Sequence, residues 1–276
     1  MEHELKHLTH WVNHVLGPLA LRLLHGMGLQ PADASTPIPE YVVMSLVVLI
    51  LGTLVALILR SQLSVERPGM LQQSAEMLLT NPLGFGIKDL LEENVAHGAS
   101  RYIPFLGTIS VFVLLANLLS IFPEFSSPTV SPIVPLACAS LVFLYFNWQG
   151  IRHHGPLRYL HTFAGSPHHF GDWVLGFLLF PVEIISTSAR LLSLTVRLWA
   201  NIFASDLIYV IFLGLLMGPF EWAWSKSAAL GIVVGVFPVV IPIVFIGLHI
   251  FVSIIQAYIF TVLPAIYVGL AVADEH

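Results

Sequence analysis

The sequence predicts an all-α polytopic membrane protein with about five membrane helices and one further surface or amphipathic helix. Three observations carry that prediction. Hydrophobic residues make up 57% of the 276 and charged residues only 10%, against about 25% charged in soluble proteins. Several uncharged runs reach the roughly 20 residues that span a bilayer as a helix. The last hundred residues hold two apolar segments, 173–219 and 227–273, each more than twice that length. A soluble protein of this composition would expose large apolar patches, so lipid must cover much of its surface. The net charge of −5 argues for no nucleic-acid partner.

Residues 1–40 form an external or interfacial segment, polar to amphipathic, that ends in a Pro-rich linker from Pro31 to Pro39. The apolar stretch near 15–24 is short and interrupted by Arg22, so it does not read as a cleavable signal peptide. The membrane domain is 41–276, with spans at about 41–60, 102–123, 133–151, 173–219 and 227–273. The first span closes on Arg60. Residues 68–93 mix Met70, Leu71, Met77, Leu78 and Leu79 with Gln, Glu and Asn, which suggests a helix lying along the membrane surface or packed on other spans. A Ser/Pro-rich turn covers 124–132, and 152–172 reads as a polar loop with five histidines. The lone Cys138 sits in an apolar run and reads as a small core residue.

At 1.5 Å per residue, each of the last two segments would be about 70 Å long as a helix, against a hydrocarbon core of about 30 Å. Each is therefore very tilted or broken into pieces. Pro238 and Pro242 allow kinks in the second. Periodicity alone does not choose between two long helices and four short ones. Lys and Arg give the orientation. Arg60, Arg67, Lys88, Arg101, Arg152 and Arg158 fall on one side, and Lys6, Arg22 and Lys226 on the other. This asymmetry puts the N-terminus outside and the C-terminus in the cytoplasm.

The charges inside the apolar segments are the functional candidates, because Arg or Asp at a helix centre costs roughly 2.5–3.5 kcal/mol on insertion scales. The plainer alternative is a charge that snorkels to the headgroups or sits in a structural ion pair. Arg190 is within reach of Glu183, two helical turns away on the same face, so a structural pair suits it. Arg197 is far from both ends of its segment and is the stronger candidate. Glu183, Arg190 and Arg197 are seven apart and share one face, with Ser193 and Asn201 one turn either side of Arg197. Asp206 falls on the opposite face. Along the axis, Glu183 is about 21 Å before Arg197 and Asp206 about 13 Å after it. His249 and Gln256 are again seven apart, with Ser253 between them. Taken singly, His249 could be a satisfied core histidine and Gln256 an interhelical hydrogen bond.

These residue types suit proton handling. Carboxylates and histidine gain and lose protons near physiological pH when their surroundings shift them. Asn, Gln and Ser complete hydrogen-bond chains. Arginine keeps its proton, so it can block a path or attract an anion but cannot relay.

The run Arg197-Leu-Trp-Ala-Asn201-Ile-Phe-Ala-Ser-Asp206-Leu resembles the Arg-Leu-Phe-Gly-Asn signature of subunit a of F-type ATP synthases. The approach through Pro181-Val-Glu183 and Ser193-Leu is similar, as is the ending: His249, then Gln256-Ala-Tyr-Ile-Phe-Thr-Val-Leu, closing on Asp274-Glu275-His276. Pro104-Phe-Leu-Gly through Asn117-Leu-Leu resembles the family's first membrane hairpin. The likeness covers roughly 66–276.

The resemblance implies that the last two helices are long and strongly tilted, forming a hairpin against a rotating ring of c subunits. It implies a proton-translocating stator subunit with two offset half-channels and no catalytic chemistry of its own. Arg197 would face the ring's carboxylate as the barrier. Asp206, His249, Asn201 and Gln256 would line or flank the external half-channel, Glu183 the cytoplasmic one, and Ser193 would neighbour the arginine. The implied partners are the c-subunit ring, the b-subunit peripheral stalk, the rest of the complex and the lipid bilayer of a cell membrane, the inner membrane in a bacterium. No cofactor and no metal is implied. Three departures stand out: Trp199-Ala200 in place of Phe-Gly, Asp206 where Glu is frequent, and a turn Ser126-Ser-Pro-Thr129 without the usual Asp or Asn.

Two other readings compete. Thirteen histidines, with His3/His7 and His10/His14 at one-face spacing and His153-His154 and His168-His169 as pairs, raise a membrane metalloenzyme. The His-x-x-His-His pattern of membrane di-iron enzymes is absent, and the histidines fall at opposite ends of the predicted topology. A stand-alone ion transporter should show related halves with paired broken helices, and none is evident. No Gly-x-x-x-x-Gly-Lys loop occurs, so any ATP chemistry belongs to another subunit.

Overall fold

The computed structural model describes residues 2–28, 31, 33, 36–64, 68–70, 72–73, 76, 87–94, 98–122, 125–163 and 172–273. Among these the chain is helical, with no strand: α1 (Glu2–Gly26), α2 (Glu40–Ser61), α3 (Ile87–Asn94), α4 (Ile103–Leu119), α5 (Ile133–His154), α6 (Pro156–Phe163), α7 (Asp172–Lys226) and α8 (Ala228–Val272). Short 3-10 turns occupy Ala99–Arg101 and Pro128–Val130. Helices α2, α5, α7 and α8 are long and apolar enough to cross a membrane, and α4 is a shorter apolar helix of 17 residues. This is the all-α polytopic membrane architecture that the composition predicts.

The question left open by the two proline-bearing segments is answered. Helix α7 runs 55 residues and α8 runs 45, each unbroken. Ser227 separates them; its hydroxyl accepts from Leu230 N at 3.2 Å and so caps the start of α8. Two sequence readings need correction. The expected loop 152–172 is partly helical: α5 extends to His154, Gly155 (φ 82°) turns the chain, and α6 follows at once. The second span ends at Leu119, because Ile121 and Phe122 bond back to Leu118 and Leu119 in a tight turn. Of the surface helix expected over 68–93, the C-terminal part is seen in α3, and 77–86 lie outside the described residues. So do His168, His169 and the last three residues.

The chain divides into two compact units. The first comprises Met1–Leu49, Leu114–Ser131 and Leu198–Gln256. In it, Asn13 of α1 clamps the linker: its amide oxygen accepts from Ile38 N (2.8 Å) and its nitrogen donates to Ile38 O (3.0 Å). That bond pair fixes α1 just ahead of α2, with Pro37 packed on Gly17. Below it, Ser127 bonds Ala116 O and Thr129, and Thr129 donates to Asn117 Oδ1 at 2.8 Å. Ser127 thereby caps the turn whose first residue is Pro128.

The second unit comprises Ile50–Val113, Pro132–Arg197 and Ala257–His276. Its core includes Leu106, Ile109 and Val113 of α4 with Cys138, Val142 and Phe146 of α5. The Phe105 and Tyr145 rings stack at 3.7 Å. Ser110 donates to Ala257 O, and Thr261 donates to Ser110 Oγ at 2.7 Å. These are small hydroxyl bridges of the kind that hold membrane helices together. By contrast, the most apolar windows of α7 and α8 are only 6% buried. Leu192, Val196, Phe203, Ile211, Ile243, Phe251 and many like them face outward, a surface that lipid or partner subunits must cover.

Candidate functional site

Among the predicted residues in the first unit, Asp206 and His249 come together. They line one cavity of about 350 Å³ with Ser120, Ser126, Ser205, Tyr209 and surrounding apolar side chains. Ser205 and Asp206 are adjacent on α7, and His249 projects from α8. Asp206 and His249 share the cavity without a direct bond. His249 is instead held by neutral partners, and its ring is buried (8% exposed). Its Nε2 lies 3.0 Å from both Ser120 Oγ and the Asn117 carbonyl, and its Nδ1 lies 2.8 Å from Ser205 Oγ. Ser253 donates to the His249 carbonyl at 2.8 Å. The plain alternative for His249, a hydrogen-bonded buried ring, is therefore true of its contacts; the open cavity beside it is what that alternative leaves unexplained.

The same unit pairs Asn201 with Gln256. The Asn201 amide donates to Gln256 Oε1 at 3.0 Å, while Gln256 Nε2 is buried without a partner among the described residues. This is the interhelical hydrogen bond of the plainer reading of Gln256. Trp199, one of the departures from the family pattern, donates its indole N–H to Val130 O at 3.0 Å and stacks on Phe203. A phenylalanine could not make that bond.

In the second unit, Glu183 and Arg190 form the predicted ion pair at 3.6 Å. Thr187 donates to Glu183 Oε1 at 3.5 Å, and the Arg190 guanidinium sits 5.3 Å over the Tyr267 ring, a cation–π arrangement. These side chains line a second cavity of about 230 Å³ with Tyr159, Thr162 and Phe163. Tyr159 donates to Asn147 Oδ1 at 3.1 Å. Burial pushes its phenol above the ordinary value and Glu183 adds to the shift, while Arg190 opposes it; the group thus stays a donor at neutral pH. Arg197, in this unit, reaches Ser193 Oγ at 3.4 Å. No carboxylate among the described residues pairs with it.

The sequence reading missed Asn117, Ser120, Ser205 and Tyr159. Among the described residues no group of three or more His, Cys, Asp or Glu is gathered as a metal site.

Fold and site together define a multi-pass membrane protein that places titratable and hydrogen-bonding side chains along two long apolar helices. Comparison with known proteins gives the family. The profile of the ATP synthase A chain family matches residues 41–269. ATP synthase subunit a of Koribacter versatilis (strain Ellin345) is 35% identical over 278 residues, covering 100% of both chains. That of Solibacter usitatus (strain Ellin6076) is 38% identical over 245 residues, 89% of this chain and 92% of the relative. That of Campylobacter jejuni is 31% identical over 244 residues, 88% of this chain and 94% of the relative. The chain belongs to the ATP synthase subunit a family.

Proposed function

We propose that this chain is the proton-translocating, non-catalytic stator subunit of a rotary F-type ATP synthase, working against a c-subunit ring. The observation that carries the reading is the sorting of its polar residues. Asp206 and His249 line one cavity, Glu183 and Arg190 line another, and Arg197 falls between the two carboxylates in the sequence of one unbroken helix. Each cavity serves as a half-channel, external for Asp206, His249, Asn201 and Gln256, and cytoplasmic for Glu183. Ser193 steadies Arg197.

Arg197 acts as the barrier. A guanidinium keeps its proton, so no proton hops through it. Its charge favours the ionised form of a ring carboxylate passing in front of it. A proton entering from one cavity must then ride the ring almost a full turn to leave by the other. A membrane potential of 100 mV supplies about 2.3 kcal/mol per proton to drive that rotation. The outward apolar faces of α7 and α8 suit a ring of lipid-adapted helices. Helices of 55 and 45 residues far exceed the bilayer core if upright, so in this reading they lie strongly tilted as a hairpin. The Lys/Arg asymmetry puts the N-terminus outside and the C-terminus in the cytoplasm of the bacterial cell membrane, with a b-subunit stalk and the rest of the complex as further partners.

The test is Arg197→Ala in the assembled complex. Coupled ATP synthesis should be lost while passive proton flux through the complex persists or rises. Normal coupled synthesis in that variant would overturn the mechanism. In a second arm, the chain alone in liposomes should carry no substrate-coupled flux; flux without a ring would point to a stand-alone transporter.

A further inference from the structure

We propose that Ser205 is the relay hydroxyl through which His249 takes up and gives up its exchangeable proton. The inference rests on the half-channel reading above and goes beyond it, because it assigns the exchanging nitrogen and the partner on it.

The argument is one of hydrogen-bond valence. The Asn117 carbonyl, 3.0 Å from His249 Nε2, can only accept. Ser120 Oγ, also 3.0 Å from Nε2, donates its own hydrogen to the same carbonyl at 3.1 Å and so offers Nε2 a lone pair. Both neighbours of Nε2 are acceptors, so Nε2 carries a hydrogen in the neutral and in the charged ring alike. The nitrogen left to exchange is Nδ1, and its partner is Ser205 Oγ at 2.8 Å. A hydroxyl can serve both states, donating to Nδ1 of the neutral ring and accepting from Nδ1–H of the charged one.

The step balances as a paired transfer. Ser205 Oγ–H passes its proton to Nδ1 as Oγ receives one from a donor in the cavity, and the reverse sequence releases it. Asp206 is the carboxyl among the described lining residues, and Tyr209 lies beside it. Ser126, also on the lining, donates to Glu40 Oε1 at 2.6 Å. Asp206 and Tyr209 are thus the titratable groups on the described lining besides His249, and Glu40 stands behind it, one hydrogen bond away through Ser126. From α4 and the turn that follows it, Asn117 and Ser120 face the ring, and neither titrates. Alanine at 205 would leave Nδ1 without a partner and break the chain at its first link.

The experiment uses the whole complex in liposomes, comparing wild type, Ser205→Ala, Ser205→Thr and His249→Ala for synthesis driven by an imposed proton gradient across a range of external pH. Ser205→Ala should fall at least tenfold, since removing a proton-transfer group typically costs about 10²–10⁴-fold. Its pH profile should change shape, and Ser205→Thr, which keeps the hydroxyl, should recover both rate and profile. A wild-type rate and profile in Ser205→Ala beside an impaired His249→Ala would overturn the relay and leave the half-channel reading standing. Wild-type behaviour in both would overturn that reading as well. Failure of Thr to restore an assembled complex also counts against the relay. Nitrogen-15 NMR of wild-type complex labelled at histidine, with His249 assigned by difference against His249→Ala, decides even if the alanine variant does not assemble. In the neutral form of the ring the hydrogen is expected on Nε2, with Nδ1 hydrogen-bonded; a neutral ring with its hydrogen on Nδ1 overturns the assignment.

Discussion

Gly150→Ala should destabilise the second unit through one side chain, Tyr159. A Cβ at position 150 would stand 2.3 Å from Tyr159 Cε2, 2.7 Å from Cζ and 2.9 Å from Cδ2, far inside contact distance, so the ring must move. It is not free to do so cheaply. Tyr159 is buried, packs edge-on against Phe163 with centroids 5.3 Å apart, and donates to Asn147 Oδ1. Overpacking of this kind costs about 1–3 kcal/mol, and a lost interhelical hydrogen bond in a membrane protein adds about 0.6 kcal/mol. The expected loss is therefore about 2–3 kcal/mol, read as a lower midpoint of thermal inactivation of the purified complex in detergent. Tyr159 also lines the cavity with Glu183 and Arg190, so the variant should slow proton flux in membranes at a temperature where it is still folded. The double variant with Tyr159→Ala isolates the cause. With the ring gone, Gly150→Ala should cost little, giving a coupling of more than about 1 kcal/mol, within the range seen for residues in contact. Strict additivity of the two substitutions would refute the reasoning.

Trp199→Phe should remove the bond to Val130 O while keeping an aromatic ring against Phe203; we expect a stability loss of about 0.5–1.5 kcal/mol, with coupled synthesis within twofold of wild type, and a synthesis defect without a stability loss would contradict a purely anchoring role. Gln256→Leu should leave the Asn201 amide without its acceptor and lower coupled synthesis more than threefold in a complex that still assembles, and wild-type synthesis in that variant would remove Gln256 from the proposed path.

That the chain is a helical membrane protein, with its longest apolar helices at the C-terminal end, was legible because lipid imposes a simple rule: long runs without charge. Residues 41–59 or 228–272 need no packing knowledge to be read as helix. The rule fails where polarity is mixed. Residues 152–172 look like loop, yet Pro156 starts a helix directly after Gly155. There Tyr159 is buried against Gly150, a contact between positions nine apart across a turn that the polarity pattern does not reveal. The unbroken course of α8 through Pro238 and Pro242 was not legible either. Proline permits a kink in a membrane helix without requiring one, since neighbouring groups can take up the freed carbonyl.

The site divides by how much each residue costs where it stands. Glu183, Arg190, Arg197 and Asp206 stand out in sequence because a charge among apolar neighbours is expensive, and the seven-residue spacing of Glu183 and Arg190 already predicts the pair at 3.6 Å. His249 and Gln256 stand out less, but they are large polar groups and demand partners. Serine gives no such signal. In a lipid-facing helix it can bond the carbonyl four residues back at little cost, as Ser253 does to His249 O and Ser45 to Tyr41 O. A serine that serves a neighbouring helix therefore looks, in sequence, like one that serves only itself. Ser120 and Ser205 differ from those two solely in what α4, α7 and α8 bring within 3 Å of them. That distinction belongs to packing, and it decides which nitrogen of His249 is free to exchange.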